Sequence, residues 1–161
     1  MTGPRSNILG RRFGATLCRS GAPMATVLLL LPIWAVEAGD NWPSFRNGGT
    51  STTTANDLPV SWSVEEGIRW RSEIPGYGQS SPVIYNGLVF VTSSDGPFQE
   101  RCFVHAFDLD SGNLRWTRQI EATTRVENYF RNSRAAPSCV ADEDIVVSFF
   151  ASGDVTAMDH S

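Results

Sequence analysis

The strongest constraint on the fold is the segment AFDLDSGNLRW at residues 106–116. An alternating apolar run precedes a polar turn with a glycine, and a second strand-like run follows, which predicts two antiparallel strands joined by a tight turn. Gly112 permits the backbone conformation of the turn, and the side-chain oxygens of Asp108 and Ser111 accept hydrogen bonds from turn amides. The sequence AMD at residues 157–159 begins the same phrase again, 51 residues later.

Other features of the sequence repeat at a similar distance. Trp70 and Trp116 lie in similar surroundings, and SPV at residues 81–83 corresponds to APS at residues 136–138. The pair Asn86-Gly87 separates two apolar runs and predicts another hairpin. A period of about 40 to 50 residues with several short strands in each repeat is typical of propeller blades. Because no segment from Gly39 onward has helical periodicity, we expect an all-β chain.

The segment at positions 1–38 has the pattern of a secretory signal peptide. Four arginines and no acidic residue occur at positions 1–23, and an apolar run of 12 residues follows at positions 25–36. Val36 and Ala38 are small enough for cleavage before Gly39. Pro32 interrupts a run that is already shorter than a membrane span, so an uncleaved anchor is the weaker interpretation. We expect a secreted or periplasmic protein without a stable membrane span after cleavage, and the export route stays open.

The charge of the expected mature chain and its lack of lysine argue against several functions. Nine arginines and sixteen acidic residues remain from Gly39 onward, so the net charge is about −7, which disfavours a nucleic-acid surface. The chain has no lysine, which excludes a P-loop lysine and a Schiff-base lysine.

The segment at residues 106–116 fits the pattern A-x-D-x-x-S/T-G-x-x-x-W and resembles the tryptophan-docking motif of the PQQ-like (pyrroloquinoline-quinone-type) β-propeller repeat family. Three upstream segments also resemble secreted members: NWPSFR at residues 41–46, LPVSW at 58–62 and IPGYGQSSPV at 74–83. The structural motif then consists of Ala106, Asp108, Ser111, Gly112, Trp116 and the earlier Trp70.

The resemblance implies four-stranded antiparallel blades in an incomplete propeller of about two blades. We expect an irregular arm at residues 39–62, with Trp42 and Phe45 anchoring it, and a partial propeller domain at residues 63–161. One blade falls at about 68–119 and a partial blade at about 135–161. Family propellers close with seven or eight blades, so missing C-terminal blades or other chains are needed to close the ring.

No catalytic or metal site is predicted. Counted from Asp108, an EF-hand loop fails at its fifth and twelfth positions, which are Gly112 and Gln119. His105 lies within a strand and is expected to be packed, and His160 has no companion ligands. Cys102 and Cys139 form no C-x-x-C motif; either they pair, or each is a single buried thiol.

The connection at residues 123–134 is the candidate binding loop. Its arginines lie beside aromatic residues, a composition typical of binding hot spots: Arg125, Tyr129, Phe130, Arg131 and Arg134. An exposed insertion without a ligand is the alternative.

These features predict an exported binding or scaffold module with protein partners and no cofactor. The alternative is an N-terminal fragment of a quinoprotein dehydrogenase, which would need pyrroloquinoline quinone and calcium. The adjacent cysteine pair found in many such enzymes does not occur in this sequence.

Overall fold

A computed structural model gives the structure of the protein and describes residues 41–127, 129 and 131–161. The predicted signal peptide at residues 1–38 lies outside the described residues. In the described part, the chain forms seven strands: β1 (Val83–Tyr85), β2 (Leu88–Asp95), β3 (Arg101–Asp108), β4 (Leu114–Glu121), β5 (Val140–Ala141), β6 (Ile145–Phe149) and β7 (Val155–Asp159). No described residue belongs to a helix, so the predicted all-β class is confirmed.

The strands form two antiparallel sheets. Sheet 1 has the order β1-β2-β3-β4, and sheet 2 has the order β5-β6-β7. Asn86 and Gly87 join β1 to β2 with φ angles of 48° and 75°, as the two-residue hairpin requires. Both sheets therefore follow the up-and-down order of propeller blades, and sheet 2 has one strand fewer than sheet 1.

The turn between β3 and β4 is held by one carboxylate. Asp108 Oδ1 accepts hydrogen bonds from the N–H of Ser111 at 2.9 Å, from its hydroxyl at 2.8 Å and from the N–H of Asp110 at 3.2 Å. The Gly112 N–H donates to the Asp108 carbonyl at 2.9 Å. The motif's polar residues thus satisfy backbone groups that no neighbouring strand reaches.

The core lies where the two sheets pack against each other. Fully buried side chains from sheet 1 meet buried side chains from sheet 2 and its flanking loops in one cluster: Val83, Phe90, Cys102, Val104 and Ala106 with Ala135, Cys139, Ala141, Val146 and Phe150. Burial of this apolar surface is the main source of stability for such a small unit.

The sequence repeat shows which face of sheet 1 corresponds to which face of sheet 2. Phe90 pairs with Ala106 in sheet 1, and Val147 pairs with Ala157 at the corresponding place in sheet 2. The Phe90 face of sheet 1 packs against the opposite face of sheet 2, which carries Val146. The sheets therefore pack front to back, as successive propeller blades do.

The two tryptophans of the motif make equivalent contacts. Trp70 Nε1 donates to the carbonyl of Leu109 at 2.8 Å, and Trp116 Nε1 donates to the carbonyl of His160 at 2.9 Å. Leu109 directly follows Asp108 and His160 directly follows Asp159, so the two acceptors occupy the same position in the two repeats. Trp70 lies 6.4 Å from the Phe107 ring, and Trp116 lies 5.9 Å from the Phe90 ring.

The arm before the sheets is anchored by one of its two aromatic residues. Trp42 exchanges two backbone hydrogen bonds with Ile84, at 2.8 and 2.9 Å, and the carbonyl of Pro43 accepts one from Ala141 at 2.8 Å. Phe45, in contrast, is 58% exposed. The prediction that Phe45 anchors the arm is wrong, because the chain turns at Ser44, whose carbonyl accepts a hydrogen bond from Asn47 at 3.0 Å.

We expect Gly112→Ala to destabilise the fold strongly. Gly112 has a φ of 71°, and a Cβ there would lie 2.4 Å from Cδ2 of Trp70. Left-handed backbone strain and the steric clash together should lower the free energy of unfolding by about 2–5 kcal/mol. Urea denaturation measures this change.

Gly87→Ala is the matched control. Gly87 has a φ of 75°, but nothing lies within 4 Å of the position of its Cβ, so only the backbone strain of about 1–2 kcal/mol is expected. Equal losses in the two variants would contradict close packing of Trp70 on Gly112.

Candidate functional site

The acidic turn does not form a metal site in the structure. The Asp108 carboxylate is engaged by turn amides and the Ser111 hydroxyl, and these hydrogen bonds lower its pKa. Asp110 forms an exposed ion pair with Arg69 at 3.0 Å. Among residues 41–127, 129 and 131–161, no group of three histidine, cysteine or acidic side chains is placed to hold a metal ion.

His105 is packed within sheet 1, as predicted. Its ring is 1% exposed and lies between the hydroxyls of Ser93 and Thr117, each 2.9 Å from one ring nitrogen. The rings of Phe103 and Phe107 flank it at 5.9 and 6.2 Å. Burial lowers the pKa of His105 to about 4, so the imidazole is neutral at physiological pH and stabilises the sheet.

His160 packs against the core through its ring. The ring centroid lies 5.8 Å from that of Tyr85 and 5.3 Å from that of Phe90. Its backbone carbonyl is the acceptor for Trp116, so this residue contributes both an apolar contact and a hydrogen-bond acceptor where the sheets meet.

The two cysteines are single buried thiols. Cys102 and Cys139 are both free. Burial raises the pKa of Cys102 to about 11 and that of Cys139 to about 12. Neither thiol supplies a thiolate at neutral pH, so neither is suited to nucleophilic chemistry.

The connection between β4 and β5 carries the predicted binding residues. The guanidinium of Arg125 lies over the Phe98 ring at 4.5 Å from its centroid. Tyr129 is 59% exposed, and Arg131 is exposed as well. Phe130 lies outside the described residues. The structure thus leaves three of the five predicted side chains at the surface.

Arg134 differs from the expectation of a loop arginine at the surface, because it is only 4% exposed. Its N–H donates to Gln99 Oε1 at 2.8 Å, and its carbonyl accepts a hydrogen bond from Ala151 at 2.9 Å. One guanidinium nitrogen, Nη2, donates to the carbonyl of Val126. These contacts fix the backbone of Arg134, and its side chain is buried in the protein instead of lying at the surface.

Two glutamines that the sequence analysis did not single out fix the base of this connection. Gln79 Oε1 accepts a hydrogen bond from the N–H of Ser133 at 2.8 Å, and Gln79 Nε2 donates to the carbonyl of Arg131 at 3.2 Å. Gln99 Oε1 accepts from the Ser94 hydroxyl at 3.1 Å, in addition to the N–H of Arg134. No pattern in the sequence marks these glutamines, since their contacts with the connection join segments that are distant in the sequence.

A cleft of about 660 Å³ opens where the loop between β2 and β3 meets the connection. Apolar, polar and charged side chains line it, among them Phe98, Gln99, Arg125, Glu127 and Arg134. A second, apolar groove of about 290 Å³ lies on the outer face of sheet 1, between Trp70, Val89 and Phe107. The first cleft is the stronger candidate for ligand binding, because it combines two cations with an aromatic wall.

In the described part of the chain, no helix has the length and apolar character that a membrane span requires.

We expect His105 to make the fold sensitive to mild acid. The pKa of its ring falls from 6.5 to about 4 on burial, so the folded state favours the neutral form. This stabilisation is complete above pH 6.5 and is lost as the pH falls towards 4. Between pH 7 and pH 4.5 the free energy of unfolding should fall by about 2–3 kcal/mol, as urea denaturation at each pH would measure.

The variant His105→Gln keeps a polar side chain between Ser93 and Thr117 but does not titrate. Its free energy of unfolding should therefore change little over the same pH range. The aspartates whose pKa values are lowered titrate below the ordinary value of 3.8 and lie outside this window. An equal pH dependence in the protein and the variant would show that His105 is not responsible.

Comparison with known proteins gives the family. A search of curated proteins finds no match. The family model described as "Outer membrane protein assembly factor BamB" matches residues 11–161, which is nearly the whole sequence. The matched region includes both sheets, both tryptophan contacts and the connection between the sheets. The chain therefore belongs to this family of PQQ-like β-propeller repeat proteins.

Proposed function

We propose that this protein is an exported β-propeller module that acts by binding other proteins rather than by catalysis. The observation that carries the proposal is the connection between the two sheets. Its side chains Arg125, Tyr129 and Arg131 are exposed, while its backbone is hydrogen-bonded at several points to Gln79 and Gln99, in the loops that flank strands of sheet 1. Loops on a rigid scaffold are the common place for binding residues.

The base of the connection is held on both sides of the exposed residues. The carbonyl of Arg131 accepts hydrogen bonds from the hydroxyl of Tyr77 and the amide of Gln79, each at 3.2 Å. Asp154 accepts hydrogen bonds from the hydroxyl and the N–H of Thr123, at 2.7 and 3.0 Å. A pre-organised loop loses less conformational entropy when a partner binds, and tyrosine and arginine are enriched among hot-spot residues.

The tryptophan contacts supply the rigidity of the scaffold in this proposal. Trp70 and Trp116 each donate a hydrogen bond to the backbone carbonyl of the residue after the aspartate of a repeat, which is Leu109 for Trp70 and His160 for Trp116. We assign them the docking role that the motif has in propeller repeats: each fastens the end of one blade to the next. The same contact would continue around a propeller completed by further blades or by other chains.

The family description supports a place in the cell envelope. It names an assembly factor for outer membrane proteins, and the arginine-rich start and apolar run of this chain fit the pattern of a secretory signal peptide. We therefore place the mature protein in the periplasm or outside the cell, where it contacts protein partners.

Export predicts a defined mature N-terminus. Protein isolated from the cell envelope should begin at Gly39, because Val36 and Ala38 suit signal peptidase. Mass spectrometry of the N-terminal peptide measures this directly. Ala38→Arg should block cleavage and leave the segment before Gly39 attached to the chain. Recovery of the chain from the cytoplasm with its signal segment intact would contradict export.

Partner binding should depend on the exposed connection. Cross-linking in the cell envelope, followed by mass spectrometry, identifies the partner, and its affinity is then measured with purified proteins. The double variant Tyr129→Ala/Arg131→Ala should bind the partner at least about tenfold more weakly, because hot-spot side chains contribute more than about 1 kcal/mol each.

Arg71→Gln is the control for this experiment, since Arg71 is exposed but lies outside the connection. Its affinity should be unchanged. Equal affinities for the double variant and the unmodified protein would contradict the assigned surface. Reduction of an acceptor dye by the purified protein with pyrroloquinoline quinone, calcium and an alcohol would favour the quinoprotein dehydrogenase alternative instead.

A further inference from the structure

The cleft beside the connection has the features of a small-molecule site. Its volume of about 660 Å³ lies within the range of ligand pockets. Pro97 and Phe98 come from the loop between β2 and β3, whereas Arg125, Val126 and Glu127 come from the connection. Two segments distant in sequence thus line the cleft together, and Arg134 lines it as well.

Arg134 is a buried cation without a complete set of partners. It is 4% exposed, and among the described residues its Nη1 has no hydrogen-bond partner. Neither of the two ion pairs in the described part of the chain includes it. A buried charge without a counter-charge is unfavourable, so an anion bound in the cleft would relieve this cost.

Arg125 lies at the rim of the same cleft in a position to contact the anion. The central carbon of its guanidinium lies over the Phe98 ring, 4.5 Å from the ring centroid, and this cation–π contact restrains the group. Arg125 is exposed, so the N–H groups that are turned away from the ring can still donate to a carboxylate.

The charges around the cleft favour a monoanion. Two arginines and one glutamate line it, which leaves one positive charge among the lining residues. Glu100, whose carboxylate accepts a hydrogen bond from the N–H of Phe98 at 2.9 Å and interacts electrostatically with Arg125, offsets part of that positive charge. A dianion such as sulfate would meet repulsion from Glu127 that a singly charged carboxylate meets less strongly.

From these observations we infer that the cleft binds the carboxylate of a small organic acid with an aromatic or apolar body. Arg125 donates to the carboxylate, and the buried charge of Arg134 attracts it electrostatically. Pro97 and the exposed side of Phe98, which is 53% exposed, contact the body of the ligand. The inference does not depend on the proposed function; it assigns a small-molecule ligand to the connection in addition to the proposed protein partner.

Titration of the full chain with benzoate tests the inference by NMR. Benzoate should shift amide signals of Phe98, Gln99 and Arg125, with a dissociation constant of about 1 mM. Benzamide has the same shape and no charge, and sulfate is a dianion; each should bind at least about tenfold more weakly. Binding of benzamide or sulfate as tight as that of benzoate would overturn the proposed carboxylate preference.

Two variants separate the roles of the arginines. Arg125→Gln changes an exposed residue and should weaken benzoate binding about tenfold while the protein stays folded. Arg134→Met removes the buried charge and should weaken binding at least as much, with folding verified by circular dichroism. Arg71→Gln is the matched surface control and should bind benzoate as the unmodified protein does.

The outcome is independent of the protein-binding proposal. Tyr129→Ala/Arg131→Ala leaves the residues named for the cleft in place and should still bind benzoate, although it loses the protein partner. If benzoate shifts none of the three amide signals, or if Arg125→Gln binds it unchanged, the cleft inference is wrong. Neither result would alter the affinity for a protein partner.

Discussion

The fold depends on apolar contact between two β-sheets that pack front to back. Phe90 and Val104 of sheet 1 meet Val146 and Phe150 of the second repeat in one buried cluster. A small isolated sheet has too little apolar surface to be stable by itself, so each sheet needs the other. The tryptophan contacts extend this arrangement: Trp116 packs on Phe90 and donates to a backbone carbonyl that follows β7. Packing and hydrogen bonding therefore fix the same geometry.

The same packing leaves part of the surface open. The outer face of sheet 2 exposes Ile145, Phe149 and Val155, and by the repeat this face corresponds to the Phe90 face that is buried in sheet 1. A front-to-back stack has an uncovered face at each end unless it closes into a ring, which explains why propellers close. The connection between the sheets is different, because it presents polar and aromatic side chains on a fixed backbone and these side chains take no part in the sheet core.

Local patterns predicted much of the architecture correctly. Asn86-Gly87 predicted the hairpin of β1 and β2, and Asp108 with Gly112 predicted the hairpin of β3 and β4. Both predictions were possible because short turns depend on local backbone geometry and on nearby side-chain oxygens. The placement of Phe45 and Arg134 was not predictable in this way. Phe45 is exposed because it lies within the turn that begins at Ser44. Arg134 is buried because Gln99 and Ala151, which are distant in sequence, hold its backbone.

The sequence alone determined the strand class, the repeat, the turns and the family resemblance, since each follows from periodicity, local turn chemistry or a short motif. Only the tertiary structure decided which residues face the cleft beside the connection. The guanidinium of Arg125 lies over the ring of Phe98, which belongs to a different loop, and the buried Arg134 lines the same cleft. Such contacts depend on how two sheets pack, and packing is set by the shapes and burial of many side chains together rather than by any local pattern.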